Sequence, residues 1–299
     1  MKEADDVKSF HWRGRWGRRA TDSAGRFGLA LICLAVSLAA SMLSTARPVV
    51  AETAGPIVRE EATVVVDGVE EHWRLEWLRP TVPMCSPEDD DWWICPCMGF
   101  AFGEEGDLQL VRERPGQEQE RLHLTPLFGF SYDQTGNDPH AILRRWDVDW
   151  DVDGRDLEEK PSAAFAARVR ARPLARIMNF ADYDNDGRAT EFMLQIGTEP
   201  CGKKESIVVG ISRDNPHLHA FASVRNPGKP LLLMDWQWNA LNGSKDVVEV
   251  GDLTCGDHGS DVNRDLVLRA ENGRISATRR TYECTGQATR GGLSKEEDF

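Results

Sequence analysis

Three aspartates at alternate positions followed by a glycine occur twice in this chain, as "DWDVDGRDLEEK" (149–160) and "DYDNDGRATEFM" (182–193). Aligned at an offset of 33 residues, the two stretches share Asp at places one, three and five, Gly at six, Arg at seven and Glu at ten. This is an internal repeat. The chemistry suited to such spacing is capture of a hard cation, because Ca²⁺ takes six to eight oxygens at about 2.3–2.6 Å. Carboxylates one, three and five meet at one point only if the chain turns sharply at six, where Gly154 and Gly187 tolerate the turn. The expected ligands are Asp182, Asp184, Asp186, the backbone carbonyl of Arg188, and Glu191; in the first copy they are Asp149, Asp151, Asp153 and Glu158. An Asp-rich turn also forms without an ion, since Asp and Asn cap turns by accepting from backbone amides.

The two stretches resemble known calcium loops. The EF-hand pattern needs a bidentate Glu at place twelve between helices, where this chain has Lys160 and Met193. The second stretch runs into "TEFMLQIGT", which reads as a strand, and a loop followed by a strand is closer to the calcium loops of FG-GAP and VCBS-type repeats. Their last carboxylate comes at place nine. Here place nine holds Leu157 or Thr190 and the carboxylate comes at ten, as Glu158 or Glu191. The resemblance covers about a dozen residues per loop and implies calcium as the ion.

Other chemistry-bearing stretches read more plainly. "GTEPCGKK" (197–204) lacks the hydroxyl residue that a phosphate-binding loop places after its lysine, and neither G-x-S-x-G nor H-E-x-x-H occurs. "CGDHGSD" (255–261) gathers Asp257, His258 and Ser260, but catalytic triads assemble from distant segments, so a tight loop closed near Cys255 is expected. His217 and His219 share one face of a strand and could ligate zinc or copper. Most tryptophans, Trp73 and Trp77 among them, lie in alternating runs that read as buried.

The elements that must position these groups are strands. "ATVVVDGVEEHWRLEWL" reads as a hairpin about Asp67-Gly68, with Trp73, Leu75 and Trp77 on one face. Residues 97–128 read as three strands turning at Glu104–Gly106 and Pro115-Gly116. "TEFMLQI", "SIVVGI", "DVVEV", "RDLVLRA" and "RISATRRTYEC" follow, the last two joined by Asn272-Gly273. Helices are expected at 161–171 and at 229–241. The fold class read from this pattern is mainly β: an antiparallel sandwich, barrel or propeller-like sheet array with one or two short helices.

Residues 1–51 read as an export signal or N-terminal anchor. Arg13 to Arg26 form a basic region, followed by the uncharged "FGLALICLAVSLAASMLSTA", with cleavage expected after Ala46 or Ala51. Residues 52–299 then form a single extracytoplasmic, periplasmic or secreted, β-rich domain. It keeps 28 basic and 45 acidic residues, a net charge near −17, which excludes nucleic acid and anionic membrane surfaces as partners. Its six cysteines, Cys85, Cys95, Cys97, Cys201, Cys255 and Cys284, read as three disulfides in an oxidising compartment. The pairing expected is Cys255 with Cys284, and Cys95 or Cys97 with Cys85 and Cys201. A zinc site of Cys95, Cys97, His217 and His219 is the alternative.

Two function classes follow. The first is a non-catalytic, calcium-binding exported protein whose ions stabilise loops and support a surface for an extracellular protein or glycan partner. The alternative is an extracytoplasmic hydrolase of glycans or esters, using paired carboxylates between 133 and 191 with Trp146 or Trp150 as a platform.

Overall fold

The structure is a computed structural model that describes residues 55–84, 97–100, 103–131, 139–146, 164, 167, 168, 171–199, 203–286 and 288–299. The chain divides between Ala51 and Glu52, and every described residue lies in the second unit. The expected export segment, the first aspartate loop with Asp149, Asp151, Asp153 and Glu158, and Cys85, Cys95 and Cys201 lie outside the described residues. So does all of the expected helix at 161–171 except 164, 167, 168 and 171, which are helical.

The molecule is mainly β, with four antiparallel sheets, and among the described residues it closes neither a barrel nor a propeller. The first sheet has the order β1 (Ile57–Val66), β2 (Val69–Trp77), β5 (Leu108–Glu113), β6 (Glu120–His123). A small second sheet joins β3 (Val82–Pro83), β4 (Glu104–Gly106) and β7 (Ala141–Leu143). The third is β11 (His219–Ala220), β10 (Lys203–Gly210), β9 (Glu191–Glu199) and β8 (Phe180–Ala181), with β12 (Leu233–Met234) added beside β10. The fourth runs β13 (Val248–Leu253), β14 (Val262–Glu271), β15 (Arg274–Cys284), β16 (Arg290–Asp298). Two short α-helices are described, α1 (Cys97–Phe100) and α2 (Asp235–Leu241). No described helix is long and apolar enough to cross a membrane.

Both hairpin turns expected from dipeptides are present: Asp67-Gly68 at φ 51° and 78°, and Asn272-Gly273 at 52° and 82°. Those values suit a two-residue turn with both residues left-handed, whose twist matches the strands it joins. Two expectations need correction, and one strand lacks a local signal. Glu104–Gly106 is a strand paired with β3 and β7 rather than a turn, because its partners come from distant segments. Within 229–241 only Asp235–Leu241 is helical; Leu233–Met234 pairs with β10 instead. Strand β16, "RGGLSKEED", carries no apolar alternation and forms by pairing along β15, with Arg280 Nε donating to Glu296 at 2.6 Å.

Period-two alternation divides the third sheet between two cores. Phe192, Leu194, Ile196, Ile207 and Val209 face one core with Trp73, Leu75, Trp77, Leu108 and Leu110 of the first sheet. Val208 and Leu233 face another, with Trp238 of α2 and Leu266, Leu268, Ile275 and Ala277 of the fourth sheet. The expected face of Trp73, Leu75 and Trp77 is thus buried, and by the same period Glu71 belongs to it. Glu71 is 1 % exposed and accepts from Arg112 Nε (2.6 Å), Arg112 Nη2 (2.9 Å), Arg114 Nη1 (2.9 Å) and Trp73 Nε1 (3.1 Å). Burial by itself would raise the Glu71 pKa; the bonds from Arg112 and Trp73 and the charges of Arg112 and Arg114 outweigh it and hold the carboxyl below its ordinary value. Cys255 and Cys284 form the expected disulfide, tying the end of β15 to the loop after β13.

Removing the Glu71 charge leaves buried Arg112 with only Glu120, at 3.2 Å, as an ionic partner, so Glu71→Gln is expected to cost about 3 kcal/mol at pH 7 in urea unfolding. A carboxyl whose folded pKa is lowered contributes stability that is present above its unfolded pKa, near 4.3, and lost as pH falls through the folded value. The difference between wild type and variant should therefore shrink below about pH 4; a difference that persists there shows that the charge is not its source.

Candidate metal centre

Loop 182–190 connects β8 to β9, and its base is the ladder pair Ala181↔Glu191. Antiparallel pairing returns Glu191 to the level where the loop departs, beside Asp182. This is why a carboxylate at place ten can join those at one and three: the ladder supplies the return that an EF-hand obtains from a helix. The chain reverses through Asn185 (φ 54°) and Gly187 (φ 90°), left-handed conformations that Asn and Gly adopt at least cost. Tyr183 anchors the loop in the second core, its ring edge-on to Trp238 at 5.9 Å.

Ligand oxygens of Asp182, Asp184 and Glu191 lie within 4.8 Å of one another, the one group of three or more metal-ligating side chains found among the described residues. Asp182 is half-buried, whereas Asp184 and Glu191 are each 0 % exposed. The Asp182 oxygens accept from the amides of Asp186 (3.1 Å) and Gly187 (3.0 Å). Glu191 Oε2 accepts from the Tyr183 amide at 2.8 Å, and its Oε1 lies 2.7 Å from the Thr190 hydroxyl. Asp184 Oδ1 accepts from the Asp186 amide at 3.1 Å, but Asp184 Oδ2 is buried without a hydrogen-bond partner. A buried polar atom left unpaired costs on the order of 1–3 kcal/mol, and more when charged.

One expected ligand, Asp186, takes a different place. Asp186 turns from the trio: its Oδ1 accepts from the Arg188 amide at 2.8 Å and its Oδ2 from the Arg213 amide at 2.5 Å. The Arg188 guanidinium reaches out to Asp67 in the β1–β2 turn at 3.2 Å. The charges acting most on the trio are consequently negative. Burial first, then the charges of Asp186 and Asp182, push Asp184 up to about 7. Burial first, then the Asp184 charge, push Glu191 up to about 9. Such a cluster must take up protons or a cation. Its donors are all carboxylate oxygens, which suit a hard ion and lack the nitrogen or sulfur that zinc and copper prefer.

Among the described residues, no other group of three metal-ligating side chains gathers. His217 is exposed with Nδ1 3.3 Å from Glu120, while His219 Nδ1 meets the His217 carbonyl at 2.7 Å and its ring packs on Phe221 at 4.5 Å. Burial lowers the His219 pKa. Trp146 is buried, with the Arg172 guanidinium 3.8 Å from its ring centre, so it offers no open platform; Trp150 lies outside the described residues. Sequence reasoning missed Thr190, whose hydroxyl also sits 2.9 Å from the Ile211 carbonyl. Its signal was its position beside Glu191. It also missed the Arg213 amide, for which the local sequence holds no signal. Comparison of the chain with family models, curated proteins and solved structures finds no match.

The raised pKa values fix a sign. With chelator present, the folded state keeps protons that the unfolded chain releases near pH 4, so this contribution to stability is lost as pH rises. Urea unfolding in chelator should therefore show stability falling between about pH 5 and about pH 9, with Asp184→Asn reducing the fall. A wild-type protein equally stable across that range would contradict the convergence of these carboxylates.

Proposed function

We propose that this protein is an exported, non-catalytic, calcium-binding β protein in which loop 182–191 holds the ion through Asp182, Asp184 and Glu191. The observation that carries this reading is Asp184 Oδ2, fully buried and unpartnered within a converged trio of carboxylates. A cation satisfies that oxygen and offsets the mutual repulsion of the three groups. Asp186 braces the turn through backbone amides, and the Arg188 carbonyl and solvent add further oxygens.

Calcium suits this site better than magnesium. Mg²⁺ demands near-ideal octahedral geometry and keeps several of its waters, whereas Ca²⁺ accepts six to eight oxygens in flexible arrangements. The acidity of residues 52–299 and the basic, then apolar, residues 1–51 support a place outside the cytoplasm. The first aspartate stretch, with Asp149, Asp151, Asp153 and Glu158, offers a further ion the same donor types. The ion's role in this reading is structural, and the surface around the loop is offered to an extracellular protein or glycan.

Ligand linkage makes the reading measurable. At free calcium one hundred times the dissociation constant, one site adds about 2.7 kcal/mol to stability. The thermal midpoint of the full chain should rise as calcium is titrated into chelated protein, more than with equal magnesium. Asp184→Ala should remove most of that rise. An equal midpoint in calcium and in chelator sinks the proposal.

A further inference from the structure

We propose that the cation at loop 182–191 acts as a latch on the tip of the β14–β15 hairpin, fixing the end of the fourth sheet against the third. The inference rests on the calcium reading of that loop and adds the element that the ion controls.

Residues that carry the carboxylates also hold the tip, by their backbones. The Gly273 amide donates to the Asp184 carbonyl at 3.1 Å, and the Gly243 amide, in the turn after α2, donates to the Asp182 carbonyl at 3.3 Å. Between them, Asn185 Nδ2 donates to the Ala270 carbonyl at 3.0 Å and also to the Ser244 carbonyl. A Cβ placed on Gly273 would stand 3.5 Å from Asp184 Oδ2, so the tip backbone lies against the one trio oxygen that has no partner. Asn272 and Gly273 hold this approach at φ 52° and 82°.

The consequence is electrostatic. Without an ion, nothing draws the oxygens of Asp182, Asp184 and Glu191 to one point, and the residues whose carbonyls receive the tip and the α2 turn are held less firmly. With an ion, the loop closes and those carbonyls come into register. The body of the fourth sheet stays packed in either state, because Leu266, Leu268, Ile275 and Ala277 are held in the second core by Trp238, Val208 and Leu233 as well as by Tyr183 of the loop. On the side of the fourth sheet and α2, the change falls on residues 270–274 and 242–244, where the loop's carbonyls and Asn185 are bonded. The tip also lines a cleft of about 440 Å³ with Asp214, Val224, Arg269, Glu271 and Arg274, so the ion sets the order of that cleft. Coupling between two sites is reciprocal: a tip that docks badly must weaken the ion.

Hydrogen exchange of the full chain in chelator and in saturating calcium tests this, with magnesium as control. Peptides covering 268–276 and 240–246 should gain about tenfold protection in calcium, while those covering 57–66 stay unchanged. Calorimetry supplies the reciprocal arm. Gly273→Ala, strained at its left-handed φ, should weaken calcium binding about tenfold with unchanged stoichiometry. Gly116→Ala carries similar strain at a remote turn (φ 74°) and should leave binding alone. If calcium raises the midpoint but the tip peptides and the Gly273→Ala affinity do not change, the latch is wrong and the site stands. Absence of any calcium effect on the midpoint overturns both.

Discussion

The hairpin of β9 and β10 is buried on both faces, and most other features follow from that. Six of the nine β9 residues and six of the eight β10 residues are buried, so no polar side chain can be placed along most of its length without a partner. Alternation sends Phe192, Leu194 and Ile196 one way and Met193 and Val208 the other, and two cores form on opposite sides of one ladder. Pairing across both strands satisfies the backbone, as a doubly covered sheet requires. Glu191, the first residue of β9, is thereby carried into the interior. Gly210 faces it in the ladder, and a Cβ there would meet the Thr190 carbonyl at 2.3 Å, so only glycine permits so close an approach.

Two of the four glutamates buried among the described residues, Glu71 and Glu191, are treated in opposite ways. Glu71 lies on the core face of β2 and is met by Arg112, Arg114 and the Trp73 indole, so its charge is compensated where it stands and its pKa falls. Glu191 lies at the same depth among Asp184 and Asp182, with a hydroxyl and two amides but no cation, and its pKa rises. Low dielectric strengthens attraction and repulsion alike. The first arrangement is complete within the chain. In the proposed reading the second is completed by a cation from outside, which is the physical difference between an internal salt bridge and a binding site.

Position explains why the second arrangement matters beyond its own loop. Through Arg188 the loop touches the β1–β2 turn, through Asp186 the amide of Arg213, and through Asp182, Asn185 and Asp184 the ends of α2 and of the β14–β15 hairpin. These contacts are backbone amides and carbonyls for the most part, whose geometry is set by the loop's own dihedrals. If the proposed ion reshapes the loop, all of them respond together.

The sequence by itself determined the local features. Alternating residues gave the strands, Asp67-Gly68 and Asn272-Gly273 gave two hairpins, and the repeated Asp spacing with Gly187 marked the loop, because each depends only on neighbours in the chain. Tertiary structure decided which acids converge. Asp186 shares the spacing of Asp182 and Asp184 but is taken by the Arg213 amide, 27 residues away, and Glu191 enters at an unconventional place because β8 and β9 pair there. It also decided that Glu104–Gly106 is a strand, that the second expected helix begins only at Asp235, and that the charged β16 joins a sheet. In each case the deciding partner is remote in the chain, and local propensity is too weak to overrule it.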